Sequence, residues 1–221
     1  MEAVFVVLRS FRFESLDPIE LKERAAALAK AGERLPGVLR SSACAMAPYG
    51  VINAGDLVWR LHLSYESNHF SSVESAEWKA FVEPLLEGGK QQTLIGFHRT
   101  RGKAEPASGD RVWRALIFRV ENNAPLDHVR QLERDLQMFP VYIPAIKNWN
   151  LSPIVICEGD KAWTHIWEQE YDDKQGLMVD YMEHPIHWGW CDRWFDIEFP
   201  DQIVDPFVLQ VTGEIDDDFI R

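Results

Sequence analysis

Cysteine is scarce in this sequence, and the three that occur, Cys44, Cys157 and Cys191, stand far apart. An odd number of unclustered cysteines argues against a disulfide framework and against a zinc ribbon, and it suits a reducing compartment. No stretch approaches the ~20 apolar residues that span a bilayer. The first residues also lack the basic region of a secretory signal peptide. We therefore expect a cytoplasmic protein that does not cross a membrane.

Positive charge and cofactor motifs are also in short supply. The chain has 23 Lys and Arg against 35 Asp and Glu, a net charge of -12, and no basic cluster. This argues against nucleic acid and anionic membranes as partners. A Gly-rich phosphate loop, a Gly-x-Ser-x-Gly elbow and a clustered cysteine nucleophile are all missing, which argues against hydride transfer with a nicotinamide. We expect no cofactor.

Apolar and aromatic residues, in contrast, are plentiful. Hydrophobic residues make up 46% of the chain, which is enough for a core, and nine are tryptophan. Because Trp is bulky and amphipathic, such an excess indicates an aromatic-lined cavity, although packed cores use Trp as well. A small aromatic or phenolic molecule is the partner that this composition favours.

The chain divides into two halves with the same order of predicted elements. A polar break at residues 100–110 carries Gly and Pro without a hydrophobic period and is typical of a linker. On either side, residues 1–99 and 111–213 each follow the order β-α-β-β-α-β, with Tyr65 aligned to Tyr171. Residues 214–221 are predicted to be a solvated, frayed acidic tail.

Helix signals support this division. Asp17, Pro18 and Glu20 form an acidic N-cap, a Pro at the first helical position and a capping box, and the helix is predicted to close near Gly32. The matching helix of the second half is predicted to end at Pro140. The fold class is therefore α+β: tandem ferredoxin-like repeats whose bare sheet faces pack together as an intrachain dimeric α+β barrel. This is a pseudo-dimer within one chain, with a homodimer as a further possibility.

The most informative stretch runs from Tyr181 to His187 and places a phenol and two imidazoles around a proline. Pro185 disfavours helical geometry at His184, so the helix carrying Tyr181 should end there. His187 would then lie on a turned segment and fold back towards Tyr181. His and Tyr are the side chains suited to proton transfer at neutral pH. The alternative is a helix C-terminus whose histidines cap carbonyl groups.

The third strand of the second half offers a possible aromatic surface. Side chains alternate across a strand, so Trp163, His165 and Trp167 should share one face. Trp149 and Trp188 could add further walls. The alternative is a half-buried strand whose His165 is satisfied by a backbone partner. A metal site is disfavoured, because no His-x-x-x-His pair lies on an uninterrupted helix.

The Trp163-Thr-His-Ile-Trp-Glu168 strand and the Tyr181-x-x-His-Pro-x-His187 kink, together with the repeated topology, resemble the stress-responsive dimeric A/B-barrel (Dabb) family, and within it the plant polyketide cyclases. The resemblance implies that Tyr181 and His187 are the catalytic pair and that His165 lines the pocket. Two pocket positions depart from the family pattern, where Ala115 and Leu136 replace a histidine and a tyrosine.

The expected function is cofactor-independent acid–base catalysis on an aromatic, phenolic or polyketide-like substrate. His187 would be the base, with Tyr181 and His165 assisting, and Trp163, Trp167, His184, Trp149 and Trp188 would bind substrate. The reaction would be a lyase step, including retro-aldol loss of a small fragment, or a cyclase or isomerase step. Two alternatives are a non-catalytic stress-response ligand-binding protein and a haem- or oxygen-using barrel monooxygenase.

The first half lacks these proton-transfer groups. In the alignment of Tyr65 with Tyr171, Ser75, Trp78 and Phe81 stand at the places of the Tyr, His and His of the motif. We therefore expect the first half to be structural and the second half to carry the working site.

Overall fold

The computed structural model describes residues 4–65, 73, 75–106, 108–159, 161–217 and 219–220. The chain forms two compact units. The first comprises Met1–Pro48, Ala54–Arg99 and Ile154–Ala162, and the second comprises Tyr49–Asn53, Thr100–Pro153 and Trp163–Arg221. Each unit is an antiparallel sheet with helices.

The first unit follows the predicted order. Its elements are β1 (Phe5–Phe13), α1 (Pro18–Gly32), β2 (Val38–Ala45), β3 (Leu57–Leu63), a π-helical segment (Trp78–Val82) that runs into α2 (Glu83–Leu86), and β4 (Gly89–His98). The sheet order is β2-β3-β1-β4, all antiparallel. The predicted capping box is present, since the Asp17 carboxylate accepts from the N–H groups of Ile19 and Glu20 while Glu20 accepts from Asp17 N–H.

The second unit repeats the plan. Its elements are β5 (Arg101–Lys103), β6 (Ser108–Phe118), α3 (Leu126–Tyr142), β7 (Asn148–Glu158), β8 (His165–Tyr171), a π-helical segment (Gly176–Tyr181), α4 (Pro185–Phe195) and β9 (Leu209–Asp217). The antiparallel order is β7-β8-β6-β9, with β5 on the outer side of β7. The last part of β7 pairs with β4 and belongs to the first unit, so the predicted span 111–213 is not one undivided repeat.

Each unit has its own hydrophobic core between its sheet and its helices. In the first, alternate residues of β1 and β3, such as Val7 and Leu61, pack against Leu28 of α1. In the second, Leu116 and Trp167 belong to the core that includes Phe139 of α3 and Trp194 of α4. Alternation along the strands therefore sends one set of side chains towards the helices, and these side chains surround the candidate site.

The predictions for the linker and the tail were wrong in part. Residues 101–103 pair with β7 and residues 108–110 begin β6, so most of the predicted linker is strand. Strand β9 continues to Asp217, and the buried Phe219 and Ile220 donate backbone N–H groups to the Glu170 carboxylate. The acidic residues of the tail suggested exposure to solvent. However, apolar side chains such as Ile215 alternate with them and are buried, as in a strand with one face on the core.

Helix α3 also runs further than predicted. It continues through Pro140 to Tyr142. A proline lacks the N–H that would bond to the carbonyl four residues earlier, and in the last turn of a helix this loss is small. The carbonyl of Phe139 instead accepts from Ile143 N–H at 2.8 Å and closes the helix.

The α+β fold class with ferredoxin-like units is thus confirmed, whereas the packing of the two sheets as a barrel stays a prediction. Among the described residues, no helix is long and apolar enough to cross a membrane.

Candidate active site

The Tyr181–His187 stretch joins two helical segments at an angle. The π-helical segment ends at Tyr181, and α4 begins at Pro185 with His184 as its N-cap. The His184 ring accepts at Nδ1 from the Ile186 N–H at 3.2 Å. Pro185 fits the first helical position, where its missing N–H costs nothing. The predicted break at His184 is present, but His187 lies in the first turn of a new helix, and His184 caps an N-terminus instead of carbonyl groups.

This break brings Tyr181 and His187 together. Their ring centroids lie 4.5 Å apart at 63°, edge to face. Both side chains are buried, with 1% of Tyr181 and 6% of His187 exposed. The His187 Nδ1 atom has no hydrogen-bond partner among the described residues. A titratable ring nitrogen without a structural partner is available for proton transfer.

Arg114 of β6 lies beside this pair. Its guanidinium donates from Nη1 to Gln169 Oε1 at 2.5 Å and to the Tyr181 hydroxyl at 3.4 Å, and from Nη2 to Gln210 Oε1 at 2.6 Å. It also lies over the Tyr181 ring, 5.2 Å from the centroid. Arg114 is 3% exposed, and all of these partners are neutral.

Burial sets the protonation states of the pair. Burial, together with the nearby Arg114 charge and His184, lowers the pKa of His187 from 6.5 to about 4. Burial raises the pKa of Tyr181 to about 12, although Arg114 favours the phenolate. At neutral pH His187 is therefore a neutral imidazole that can accept a proton, and Tyr181 is a phenol that can donate a hydrogen bond.

Aromatic rings enclose the pair from the helix side. Phe139 of α3 lies 6.0 Å from Tyr181 and 6.1 Å from His187, and its other neighbour, Trp190 of α4, stacks on it at 5.5 Å. Tyr171 of β8 lies 5.8 Å from Tyr181. The pair therefore lies in an aromatic surrounding, with rings packed edge to face and stacked.

His165 lies apart from the pair. Its ring stacks on Phe118 at 5.2 Å, its Nδ1 lies 2.8 Å from Thr164 Oγ1, and its Nε2 lies 3.6 Å from Glu133 Oε1. Four residues of strand separate it from Gln169, roughly 13 Å. Its described contacts include neither Tyr181 nor His187, and they are side chains instead of the backbone partner of the alternative interpretation.

The predicted tryptophans do not form one wall. Trp167 is buried and lies 5.4 Å from the half-buried Trp149 on β7. Trp163 stacks on Phe207 at 6.1 Å and lies two residues before β8, outside the strand to which it was assigned, so its share in an aromatic face with His165 stays a prediction. Trp188 is half exposed and meets the His187 ring at 5.2 Å.

Arg114 was missed by the sequence analysis. The family histidine was assigned to Ala115, but Arg114 is the residue that faces the helices, and Ala115 lies on the opposite face of β6. A shift of one residue reverses every side chain of a strand. One signal could have revealed it. Arg114 shares the strand face of Val112 and Leu116, so a charged residue stands between two core-facing positions of an apolar strand.

A cleft of about 360 Å³ lies elsewhere in the second unit. None of the predicted site residues lines this cleft. Its largely polar lining consists of Lys103, Glu105, Pro106, Asp110, Arg111, Lys147, Asn148 and Asp172. Within the described part of the chain, no three His, Cys, Asp or Glu side chains are grouped as a metal ion would require.

Comparison with known families gives a match, and most of the matched residues belong to the second unit. Residues 112–197 match the model of the stress responsive A/B barrel domain, Dabb. For this part of the chain the resemblance seen in the sequence is confirmed, whereas the likeness to plant polyketide cyclases stays a prediction. No curated protein matches the chain in sequence.

Solved structures share the fold over almost the full length. An anthrone oxidase-like protein has a TM-score of 0.69 at 13% identity, covering 96% of this chain and 91% of its own. A putative monooxygenase from Lactobacillus acidophilus has 0.59 at 12%, covering 96% and 93%. A mutant chlorite dismutase from Candidatus Nitrospira defluvii has 0.60 at 9%, covering 96% and 92%. At these identities the likeness establishes the fold alone.

Proposed function

We propose that the second unit is a cofactor-independent acid–base enzyme for an aromatic, phenolic or polyketide-like small molecule. The observation that carries the proposal is the buried Tyr181–His187 pair, 4.5 Å between centroids, in which the imidazole is neutral and the phenol protonated at pH 7. Positioned acid–base groups of this kind contribute roughly a hundred- to ten-thousand-fold to a rate.

His187 is the base in this mechanism. In the retro-aldol direction it removes the proton of a β-hydroxyl group, and the Cα–Cβ bond breaks as the new carbonyl forms. The electron pair passes to the neighbouring carbonyl, and the protonated His187 then returns the proton to Cα. In the cyclisation direction His187 removes the Cα proton, the enolate attacks a carbonyl carbon, and the resulting alkoxide takes the proton back.

Tyr181 and Arg114 stabilise the charge that either direction creates. The Tyr181 hydroxyl donates a hydrogen bond to the oxygen on which negative charge develops, and the Arg114 guanidinium, which contacts that hydroxyl, adds a positive charge in a water-poor site. Trp167 and Trp149 provide stacking surface. His165 with Glu133, together with Trp163, His184 and Trp188, would contact the distal parts of a larger substrate.

Proton exchange tests this proposal before the natural substrate is known. Phenolic ketones with acidic Cα–H groups are incubated in D₂O with the wild-type protein, His187→Ala and Tyr181→Phe, and deuterium incorporation and product formation are followed by mass spectrometry. We expect exchange or turnover that His187→Ala abolishes while the circular dichroism spectrum is unchanged. Activity that survives His187→Ala would refute the assignment of the base.

The same samples separate two other functions. Two structural neighbours are named as an oxidase-like protein and a putative monooxygenase, so oxygen uptake and the absorbance after haem addition are recorded in parallel. Oxygen uptake coupled to substrate loss would replace the lyase or cyclase assignment with oxidation. Tight binding of aromatic probes without any turnover would favour a ligand-binding protein.

A further inference from the structure

The helix-facing side of β8 and β6 in the second unit carries several buried donors that make no hydrogen bond of normal geometry to a described residue. Within the described residues, four buried donors have no hydrogen-bond partner of normal geometry: Arg114 Nε, Trp167 Nε1, Gln169 Nε2 and the Tyr171 hydroxyl. Buried donors in folded proteins are paired in the great majority, so four on one surface need an explanation.

These donors are grouped together. Arg114 and Gln169 are directly opposite each other across β6 and β8, and Trp167 and Tyr171 flank Gln169 on the same face of β8. Tyr181 covers them from the π-helical segment, in contact with Arg114 and with its ring 5.8 Å from Tyr171. The Gln169 side chain turns its oxygen towards Arg114, which directs its NH₂ group towards the Tyr171 and Tyr181 hydroxyls, and the Trp167 N–H also approaches the Tyr181 hydroxyl.

The charge balance of the group points to the same conclusion. Arg114 is 3% exposed and permanently cationic, yet its contacts are two amide oxygens, a phenol and an aromatic ring, with no carboxylate among the described residues. A buried charge without a counter-charge is costly to maintain. An anion that enters the site would supply both the counter-charge and the missing acceptors.

We propose that Arg114, Trp167, Gln169 and Tyr171 form a binding site for an anionic oxygen group, so that the substrate is an aromatic carboxylate. Arg114, Trp167 and Gln169 converge on the Tyr181 hydroxyl, whose two lone pairs cannot satisfy all three, whereas the two oxygens of a carboxylate offer about four acceptor positions. The inference rests on the proposed function for the identity of the site, and it adds that the substrate arrives charged. Arg114 is then the residue that determines specificity.

Paired probes test the site directly. Benzoate and benzamide have the same shape and differ in charge, and their binding is measured by isothermal titration calorimetry and by tryptophan fluorescence, to which Trp167 contributes. We expect benzoate to bind at least ~10-fold more tightly than benzamide. Arg114→Gln should remove this preference, and Arg114→Lys should retain part of it. Gln169→Leu, which leaves the charge in place, should weaken benzoate binding alone.

Arg9→Gln in the first unit is the matched control, because Arg9 also lies over an aromatic ring there. It should leave the preference for benzoate unchanged. Equal binding of both probes, no binding of either at millimolar concentration, or a preference that survives Arg114→Gln would overturn the proposal. Melting temperatures of all variants verify that they are folded.

The His187→Ala variant separates this proposal from the catalytic one. It should keep the preference for benzoate, since the base is not one of the four donors. If the preference is present but no turnover depends on His187, only the proposed reaction fails. If turnover depends on His187 but the charge preference is missing, only the anion site fails.

Discussion

In both units an arginine of a central strand, β1 in the first and β6 in the second, lies over an aromatic ring of the π-helical segment. Arg9 lies 4.9 Å from the centroid of Trp78, and Arg114 lies 5.2 Å from that of Tyr181. These contacts pair Trp78 with Tyr181, not with His184 as the sequence alignment had it. The same backbone plan thus carries the same cation–aromatic contact twice, but with different chemistry around it.

The surroundings differ in what they leave unpaired. In the first unit, Trp59 and Trp78 pack at 5.7 Å, and the Trp59 N–H donates to Ser41. Burial lowers the pKa of Arg9 to about 10, although Glu158 is close enough to offset part of this effect. In the second unit a hydroxyl and an imidazole replace the indole, and Arg114 has no carboxylate among its described contacts. The Nε atoms of Arg9 and Arg114 are both buried without a hydrogen-bond partner among the described residues, so the two sites differ in the nearby carboxylate, which Glu158 supplies to Arg9 alone.

The strongest test of this contrast is the loss of the base. His187→Ala should lower kcat/KM by at least ~100-fold, about 2.7 kcal/mol of transition-state stabilisation, because it removes the imidazole that accepts the proton in the proposed mechanism. Steady-state kinetics on a turned-over phenolic substrate measures it. Near-normal turnover with a lowered melting temperature would show that His187 is only structural.

A pair of conservative substitutions compares the units directly. Tyr181→Phe removes one hydrogen bond to the developing charge and should lower kcat by ~10-fold. Trp78→Phe, the corresponding change in the first unit, should leave kcat within about twofold and lower stability by roughly 1–3 kcal/mol through lost packing. If Trp78→Phe lowered kcat as much as Tyr181→Phe does, both units would take part in catalysis, and the contrast between them would be refuted.

The free energy of unfolding should fall in mild acid, because each unit has one buried histidine with a lowered pKa. Burial lowers the pKa of His62 well below its usual value and that of His187 to about 4. As pH falls from about 6.5, the unfolded chain binds these protons first, so the free energy of unfolding decreases by up to ~1.4 kcal/mol per pH unit for each histidine. Urea unfolding at pH 7, 6 and 5 measures this slope. His62→Phe and His187→Phe should each flatten it, and an unchanged slope in either variant would contradict the lowered pKa.

The smallest effects concern the two helix caps. Asp17→Ala in the first unit should cost about 1 kcal/mol of stability, because its carboxylate accepts two backbone N–H groups. His184→Ala should cost less, since the ring accepts one at 3.2 Å. Asp17→Ala should not alter turnover by more than about twofold. His184→Ala should raise KM only for substrates large enough to reach that ring, and an equal loss with the smallest substrates would contradict the distal contact proposed for it.

Local signals in the sequence were enough to predict much of this fold. The Asp17, Pro18 and Glu20 cap placed α1 correctly, and the proline after His184 placed the break in the motif, because both depend on neighbouring residues. Strand partners are less local. The tail was misjudged because its burial depends on Glu170 and Trp113, which are distant in sequence.

The candidate site was predictable in its reactive groups but not in its surroundings. Tyr181 and His187 lie on either side of one helix break, so their contact follows from the kink at Pro185. Arg114 and Gln169 meet only through the register of β6 and β8, which a one-residue uncertainty reverses. His165 was predicted to line the pocket, and its contacts with Thr164 and Glu133 could not be inferred without the positions of α3 and β8.

The proline kink has an electrostatic consequence for His187. Aligned peptide dipoles give a helix a partial positive charge at its N-terminus and a partial negative charge at its C-terminus. Had the segment that carries Tyr181 continued without a break to Phe195, His187 would lie in the middle of one helix, away from the charge of either end. Because α4 begins anew at Pro185, the ring lies in a first turn, whose positive potential opposes protonation. Burial and this potential act in the same direction, so the new helix start helps to keep the base uncharged.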